Sequence, residues 1–248
     1  MNSLLIYTLR IADSSLILAQ RMAEWCAKGP TLEEDIALSN ISLDMFGQAN
    51  GFYEYAAQLD GSKSVDDLAF LRNEREFFNH QMVEIENGHF GRTIVRNFLH
   101  DAFNLLFFTR LSESKDETLA ALSAKSLKEV KYHLRHSTNW VIRLGDGTEK
   151  SNIKIQKALE EIWQFTDELF EMDEIDTELL NSGIAVDNKA LKIEWDEIVN
   201  NTFEKAKLKR PKDGYMATGG KKGMHTEYLG FILAEMQFLQ RAYPDAKW

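Results

Sequence analysis

The sequence predicts an all-α protein built on two long antiparallel helical hairpins, with further helices after them. Three observations carry this. Alternating apolar and polar residues of the kind that make strands are essentially absent. Apolar residues instead recur at three and four over long stretches. Only three prolines occur, Pro30, Pro211 and Pro244, and each falls at a helix boundary. Proline inside a helix costs ~3 kcal/mol, so its absence elsewhere permits very long helices.

The periodicity predicts helices at about 3–28, 31–59, 90–114, 117–144, 149–172, 188–207 and 225–243. Gly29-Pro30 joins the first pair and the turn at Glu113–Asp116 joins the second, so both pairs are expected to be antiparallel hairpins. Residues 61–88 cross between the hairpins, with short helical pieces around Val65–Arg75. Gly145-Asp146-Gly147 ends one helix and Thr148 can cap the next. Pro211–Gly223 is the longest stretch without periodicity. The expected organisation is one helical domain over 1–248, with a core bundle at about 3–144 and C-terminal helices at about 149–243.

Composition narrows the function classes. The chain has 248 residues, 44% of them hydrophobic and 27% charged, enough to bury a core. A net charge of -10 argues against nucleic acid as a partner of the surface as a whole. No run of ~18 apolar residues suggests a membrane span. The start, MNSLLIYTLRIADSS, reads as mature helix and not as a signal peptide. The single cysteine, Cys26, cannot form an internal disulfide, which fits a reducing cytoplasm, and it reads as an inert thiol.

The helix faces point to a polar core. Counted away from the turns at the shared ~1.5 Å rise per residue, Asp13, Asp44, Asp101 and Glu129 could meet at one depth. Asp101 interrupts the stripe Ile94, Phe98, Leu105, Phe108, and Glu129 shares a stripe with Ser126, His133 and His136. Di-iron bundles of the ferritin-like type hold metal with Glu-x-x-His, because residues three apart share a helix face. Here Glu129 is followed three later by Tyr132, with His133 one step late, and Asp44 is followed three later by Gly47. Asp13, Asp44, Asp101, Glu129 and His133 are therefore expected to be the polar core left by a retired metal site, with Arg21, Lys125 or His133 as candidate partners of the acids. His80, His89 and His100 read as surface or cap residues. Phe107 and Phe108, on adjacent faces of one helix, suggest an interface with another protein chain.

A second feature is the run Tyr215–Glu227, in which Gly219, Gly220 and Gly223 flank Lys221 and Lys222 just before a helix. Glycine allows close backbone approach, and a helix N-terminus with lysine favours an anion. It is not a Walker loop, because the glycine spacing differs. Gly220, Lys221 and Lys222 are the candidate contacts to a phosphate-bearing ligand; the alternative is a solvated loop whose Thr226 or His225 begins the last helix.

The segments YTLRIADSSLILAQRMAEWC, IALSNISLDMFGQAN, AKSLKEVKYHLRHSTNWVIRLGDGT and TGGKKGMHTEYLGFILAEMQFLQRAYPDAKW together resemble the structural C subunits of bacterial phenylacetyl-coenzyme A epoxidase complexes. The likeness covers nearly the whole chain. It implies a ferritin-like four-helix bundle without a metal of its own. It implies a homologous catalytic A subunit that holds a di-iron centre, a reductase among the other components, and ring 1,2-epoxidation of phenylacetyl-CoA during aerobic phenylacetate breakdown. The lysine pair would then contact the CoA moiety. The competing expectations are a self-sufficient di-iron or manganese oxidase using the five core residues, and an iron-binding protein of ferritin type.

Overall fold

A computed structural model describes residues 2–244 and 246. Its helices in chain order are α1 (Ser3–Ala23), α2 (Leu32–Asp60), α3 (Val65–Phe70), α4 (Phe90–Leu111), α5 (Glu117–Gly145), α6 (Glu149–Ile162), α7 (Glu174–Asn181), α8 (Asn188–Ala206), α9 (Glu227–Met236) and α10 (Phe238–Ala242). Among the described residues there is no strand. The architecture is all-α, in keeping with the ferritin-like class. The chain divides into two compact units, residues 1–86 with 219–248, and residues 87–218.

In the first unit α1 and α2 form the predicted antiparallel hairpin. Asn2 caps α1 by accepting the Leu4 N–H at 3.0 Å. The connection is shorter in helix than expected, because Ala27 turns left-handed at φ 62°. Asp35 reaches back to take the Ala27 and Gly29 N–H groups that the turn leaves unpaired. Cys26 lies exposed in this turn. Residues Leu5 and Tyr7 to Leu18 of α1 are buried on nearly every side, including Thr8, Arg10 and Asp13, so α1 is a core helix with polar groups that must find partners. The crossing segment begins with α3, capped reciprocally by Ser64 and Asp67, and continues through two short 3-10 turns at Glu74–Glu76 and Gln81–Glu84.

The second unit is built on the hairpin of α4 and α5, with α6, α7 and α8 added. His89 caps α4 and Asp116 caps α5 through their side chains. The helix expected over 149–172 stops at Ile162. Residues Trp163–Phe165 and Asp167–Phe170 form 3-10 turns that bury the Trp163 and Phe170 rings. Phe170 meets Trp195 edge-on at 5.3 Å and Phe103 at 5.8 Å, and Phe103 stacks on Phe107 at 5.5 Å. Trp195 donates its indole N–H to the Leu99 carbonyl at 3.0 Å, which satisfies its one polar group. Phe107 and Phe108 are therefore core residues of this unit, not the outer interface their positions suggested. Each such ring contributes about 1.5–3 kcal/mol by burial. The aperiodic segment after α8 is pinned in place. Gln156 bonds the Lys209 backbone through both ends of its amide, Asp213 accepts from the Trp163 indole at 2.9 Å, and Ala217 donates to the Gln164 carbonyl.

Candidate functional site

Asp13 is fully buried at the middle of α1, and its carboxylate is saturated. Oδ1 accepts from the Tyr53 hydroxyl at 2.7 Å and from Arg72 Nη2, and Oδ2 accepts from Arg72 Nη1 at 3.1 Å and the Phe78 backbone N–H at 2.8 Å. Those four donors match the roughly four lone-pair sites of a carboxylate. Arg72 is saturated as well. Its remaining N–H groups go to the Leu68 and Glu76 carbonyls and the Tyr53 hydroxyl, and its guanidinium lies 4.1 Å from the Phe77 ring centroid. Burial alone would lower the Arg72 pKa, but the Asp13 charge outweighs it and holds the group cationic. Burial and the same carboxylate push the Tyr53 hydroxyl up, so it stays a donor. The partner of Asp13 is thus Arg72. Arg21, expected as a partner, instead bonds the Glu84 carbonyl and Glu24, and Lys125 is exposed.

In the second unit Asp101 is buried beside α5. Its Oδ2 accepts from the Ser137 hydroxyl at 2.8 Å, while Oδ1 has no hydrogen-bond partner among the described residues. Burial pushes its pKa up to about 6, against the opposing pull of His133, the Ser137 hydrogen bond, His136 and Arg96. His100, expected at the surface, is buried, and burial with Arg96 nearby lowers its pKa to about 3. His89 is the α4 cap, as its sequence position suggested.

The two helix motifs sit one residue out of the expected register. On α5 the core line is Ser126, Val130, His133, Ser137. Tyr132 is 39% exposed, whereas Val130 and His133 are 1% exposed. The inward pair three apart is therefore Val130 and His133, so the histidine is present and the carboxylate is missing. On α2 the inward residues are Met45 and Gln48, while Gly47 is exposed with open space where a Cβ would stand. Asp44 and Glu129 are half-buried at the edge of their core faces, contrary to the expected mid-core placement. Met45-x-x-Gln48 and Val130-x-x-His133 are not paired Glu-x-x-His donors. Among the described residues no group of three or more His, Cys, Asp or Glu side chains is placed to hold a metal ion.

The glycine-lysine loop is also tighter than expected. Gly220–Lys222 forms a 3-10 turn, with Gly219 at φ 121° and Gly223 at φ 71°. A Cβ on Gly223 would run into the Arg75 carbonyl, which is why this position needs glycine. Lys221 is buried and Lys222 exposed. The anion at the start of α9 is the protein's own Glu84. It takes the Thr226 N–H at 2.8 Å and hydroxyl at 2.7 Å, the Asn79 amide at 2.8 Å and His225 Nδ1 at 2.6 Å. His225 Nε2 faces the Phe77 carbonyl at 2.9 Å. Both ring nitrogens face acceptors, so the doubly protonated imidazolium fits this site. Sequence reasoning missed Arg72, Tyr53, Glu84 and His225 as a polar frame.

The described residues thus form an all-α fold with a saturated ion pair in one unit and a half-satisfied buried acid in the other. The chain belongs to the phenylacetic acid catabolic protein family, whose model matches residues 1–248. A relative in Escherichia coli (strain K12), the C subunit of 1,2-phenylacetyl-CoA epoxidase, is 51% identical over 248 residues, covering 100% of both chains.

Proposed function

We propose that this chain is the non-catalytic C subunit of a 1,2-phenylacetyl-CoA epoxidase complex, and that it braces a separate di-iron catalytic partner during phenylacetate breakdown. The full-length likeness to the C subunit of such an epoxidase supports the assignment to the complex. One observation carries the non-catalytic role. Asp13, the acid most deeply placed for a ligand, has all its acceptor sites engaged by Arg72, Tyr53 and the Phe78 N–H. A guanidinium fixed beside that carboxylate supplies the positive charge a metal would otherwise bring, and repels a metal cation. Within its own helix, neither the inward Met45 of α2 nor the inward Val130 of α5 supplies the carboxylate of a Glu-x-x-His donor.

The test is purification of the chain by itself and with its companion proteins, followed by elemental analysis after anaerobic iron loading. The expected result is that, at micromolar concentration, the chain co-elutes with the catalytic partner, and that the iron belongs to that partner. Two tightly held irons in this chain by itself would favour the self-sufficient oxidase.

A further inference from the structure

We propose that the exposed face of α5 is a docking surface for an acidic face of a companion protein of the complex. Lys125, Lys128, Lys131, Arg135 and Arg143 are all exposed on this helix. At ~100° per residue they fall within a sector about 120° wide, opposite the buried line of Ser126, Val130, His133 and Ser137. The stripe is about 27 Å long at 1.5 Å per residue. Between residues 125 and 143 there are five Lys and Arg but one acid, Glu129, in a chain whose net charge is -10.

These cations are uncompensated. Among the described residues none of the five makes a salt bridge, yet other cations of the same unit find acids: Arg110 pairs with Glu194, Lys192 with Asp167 and Arg210 with Asp196. The arginines rest on aromatic rings instead. Arg135 lies 5.4 Å from the Tyr132 ring centroid and Arg143 lies 5.3 Å from that of Trp140. This orders two guanidinium groups with their forks open to solvent, and arginine with tyrosine and tryptophan is the composition of interface hot spots.

The geometry favours a protein over a small anion or a nucleic acid. Cations spaced along a convex helix do not converge on one phosphate. Their straight run matches the length of one side of a standard protein interface, about 800 Å². The chain's overall negative charge opposes a polyanion at long range, whereas an acidic patch on a protein meets the stripe at short range. The same net charge opposes a second copy of this chain. The inference rests on the reading that the chain works inside a multisubunit complex.

The test compares the wild-type chain with Lys128→Glu/Lys131→Glu/Arg135→Glu for binding to each purified companion protein. A Lys128→Gln/Lys131→Gln/Arg135→Gln variant and far-UV circular dichroism check that the exposed changes leave the helix intact. The expected result is a Kd for one companion that rises about tenfold or more in the Glu variant, less in the Gln variant, and that weakens from about 0.05 M to about 0.5 M salt. Equal affinity of wild type and Glu variant for every companion overturns the inference and leaves the proposed function standing. An effect confined to a single-stranded oligonucleotide, an anionic vesicle or self-association also overturns it. A wild-type chain that binds no companion overturns the proposed function, and this inference with it.

Discussion

The guanidinium of Arg72 grips both carboxylate oxygens of Asp13 across 59 residues of sequence, with Tyr53 hydrogen-bonded to both. Three separate stretches of chain thus meet at one charge pair. Removing one partner strands the other where water cannot reach it. Arg72→Ala is expected to cost about 3–5 kcal/mol, seen as a fall in the urea midpoint. The double variant Asp13→Leu/Arg72→Met should lose less than the sum of the two single losses, because neither charge is left alone. A loss below about 1 kcal/mol for Arg72→Ala would mean the pair is not the brace described.

Lys222 is the exposed member of the lysine pair, and Lys221 is buried. If the loop meets the CoA moiety in the assembled complex, Lys222 is the side chain that reaches it. Lys222→Ala should then raise KM for the acyl-CoA by about three- to tenfold with kcat little changed. Lys221→Ala should act on stability instead. Steady-state kinetics of the reconstituted complex check this, and an unchanged KM in an intact complex rejects the contact.

The long hairpins were legible because their ends carry local chemistry: Gly29-Pro30 and the caps Thr31, Asp116 and Thr148. The start of α7 also had a readable signal, the reciprocal cap of Asp173 and Asp176, although no helix was expected between residues 172 and 188. The break at Ile162 was not legible, since Trp163 and Phe170 leave the helix to join a tertiary aromatic cluster. The core register failed for a related reason. Spacings of three and four let Glu129 or Val130 stand in line with His133, and only packing chooses. Ser126 and Ser137 read as polar in sequence, yet both are buried. The Arg72 pairing is long-range, made just past the end of α3, so no local pattern announces it.

Gly145 closes α5 against the end of α8. A Cβ there would meet the Ala206 carbonyl and side chain, and Asn152 donates to the Gly145 carbonyl at 2.7 Å from α6. Gly145→Ala should force these three helix ends apart and cost about 1–3 kcal/mol. Gly47→Ala, facing open space in a helix interior, should instead stabilise by roughly 0.5–1 kcal/mol. Chemical unfolding of the two variants side by side decides it, and equal midpoints would contradict the packing.

His225 bonds the buried Glu84 carboxylate and the Phe77 carbonyl. Burial pulls its pKa down, but those bonds and the Glu84 charge raise it above the ordinary 6.5. A raised histidine pKa contributes stability that is fully present below 6.5 and lost as pH climbs through the folded value. The melting-temperature advantage of wild type over His225→Gln should therefore be full below pH 6.5 and shrink as the pH is raised above it. A constant difference across that range would show that the imidazole is held neutral.

Asp101 sits on the acid side of the same linkage. Its folded pKa of about 6 lies above the ordinary 3.8, so the native state binds the proton more tightly than the unfolded chain does. Stability should fall as pH rises from about 4 to about 6, by on the order of 3 kcal/mol in all. The physical cause is a buried carboxylate with one oxygen bonded by Ser137 and the other lacking a hydrogen-bond partner. Asp101→Asn keeps an acceptor for the Ser137 hydroxyl and removes the charge. At pH 7 the variant should match or exceed the stability of wild type, and the difference between them should close or reverse toward pH 4. That is the reverse of the loss expected on removing a well-paired ion, and so it separates this acid from Asp13. Thermal melts of both proteins across the range measure it. A strongly destabilised Asp101→Asn at pH 7 would mean that the charge is stabilised by more than Ser137 and the nearby cations, and would defeat the account of Asp101 as a half-satisfied acid.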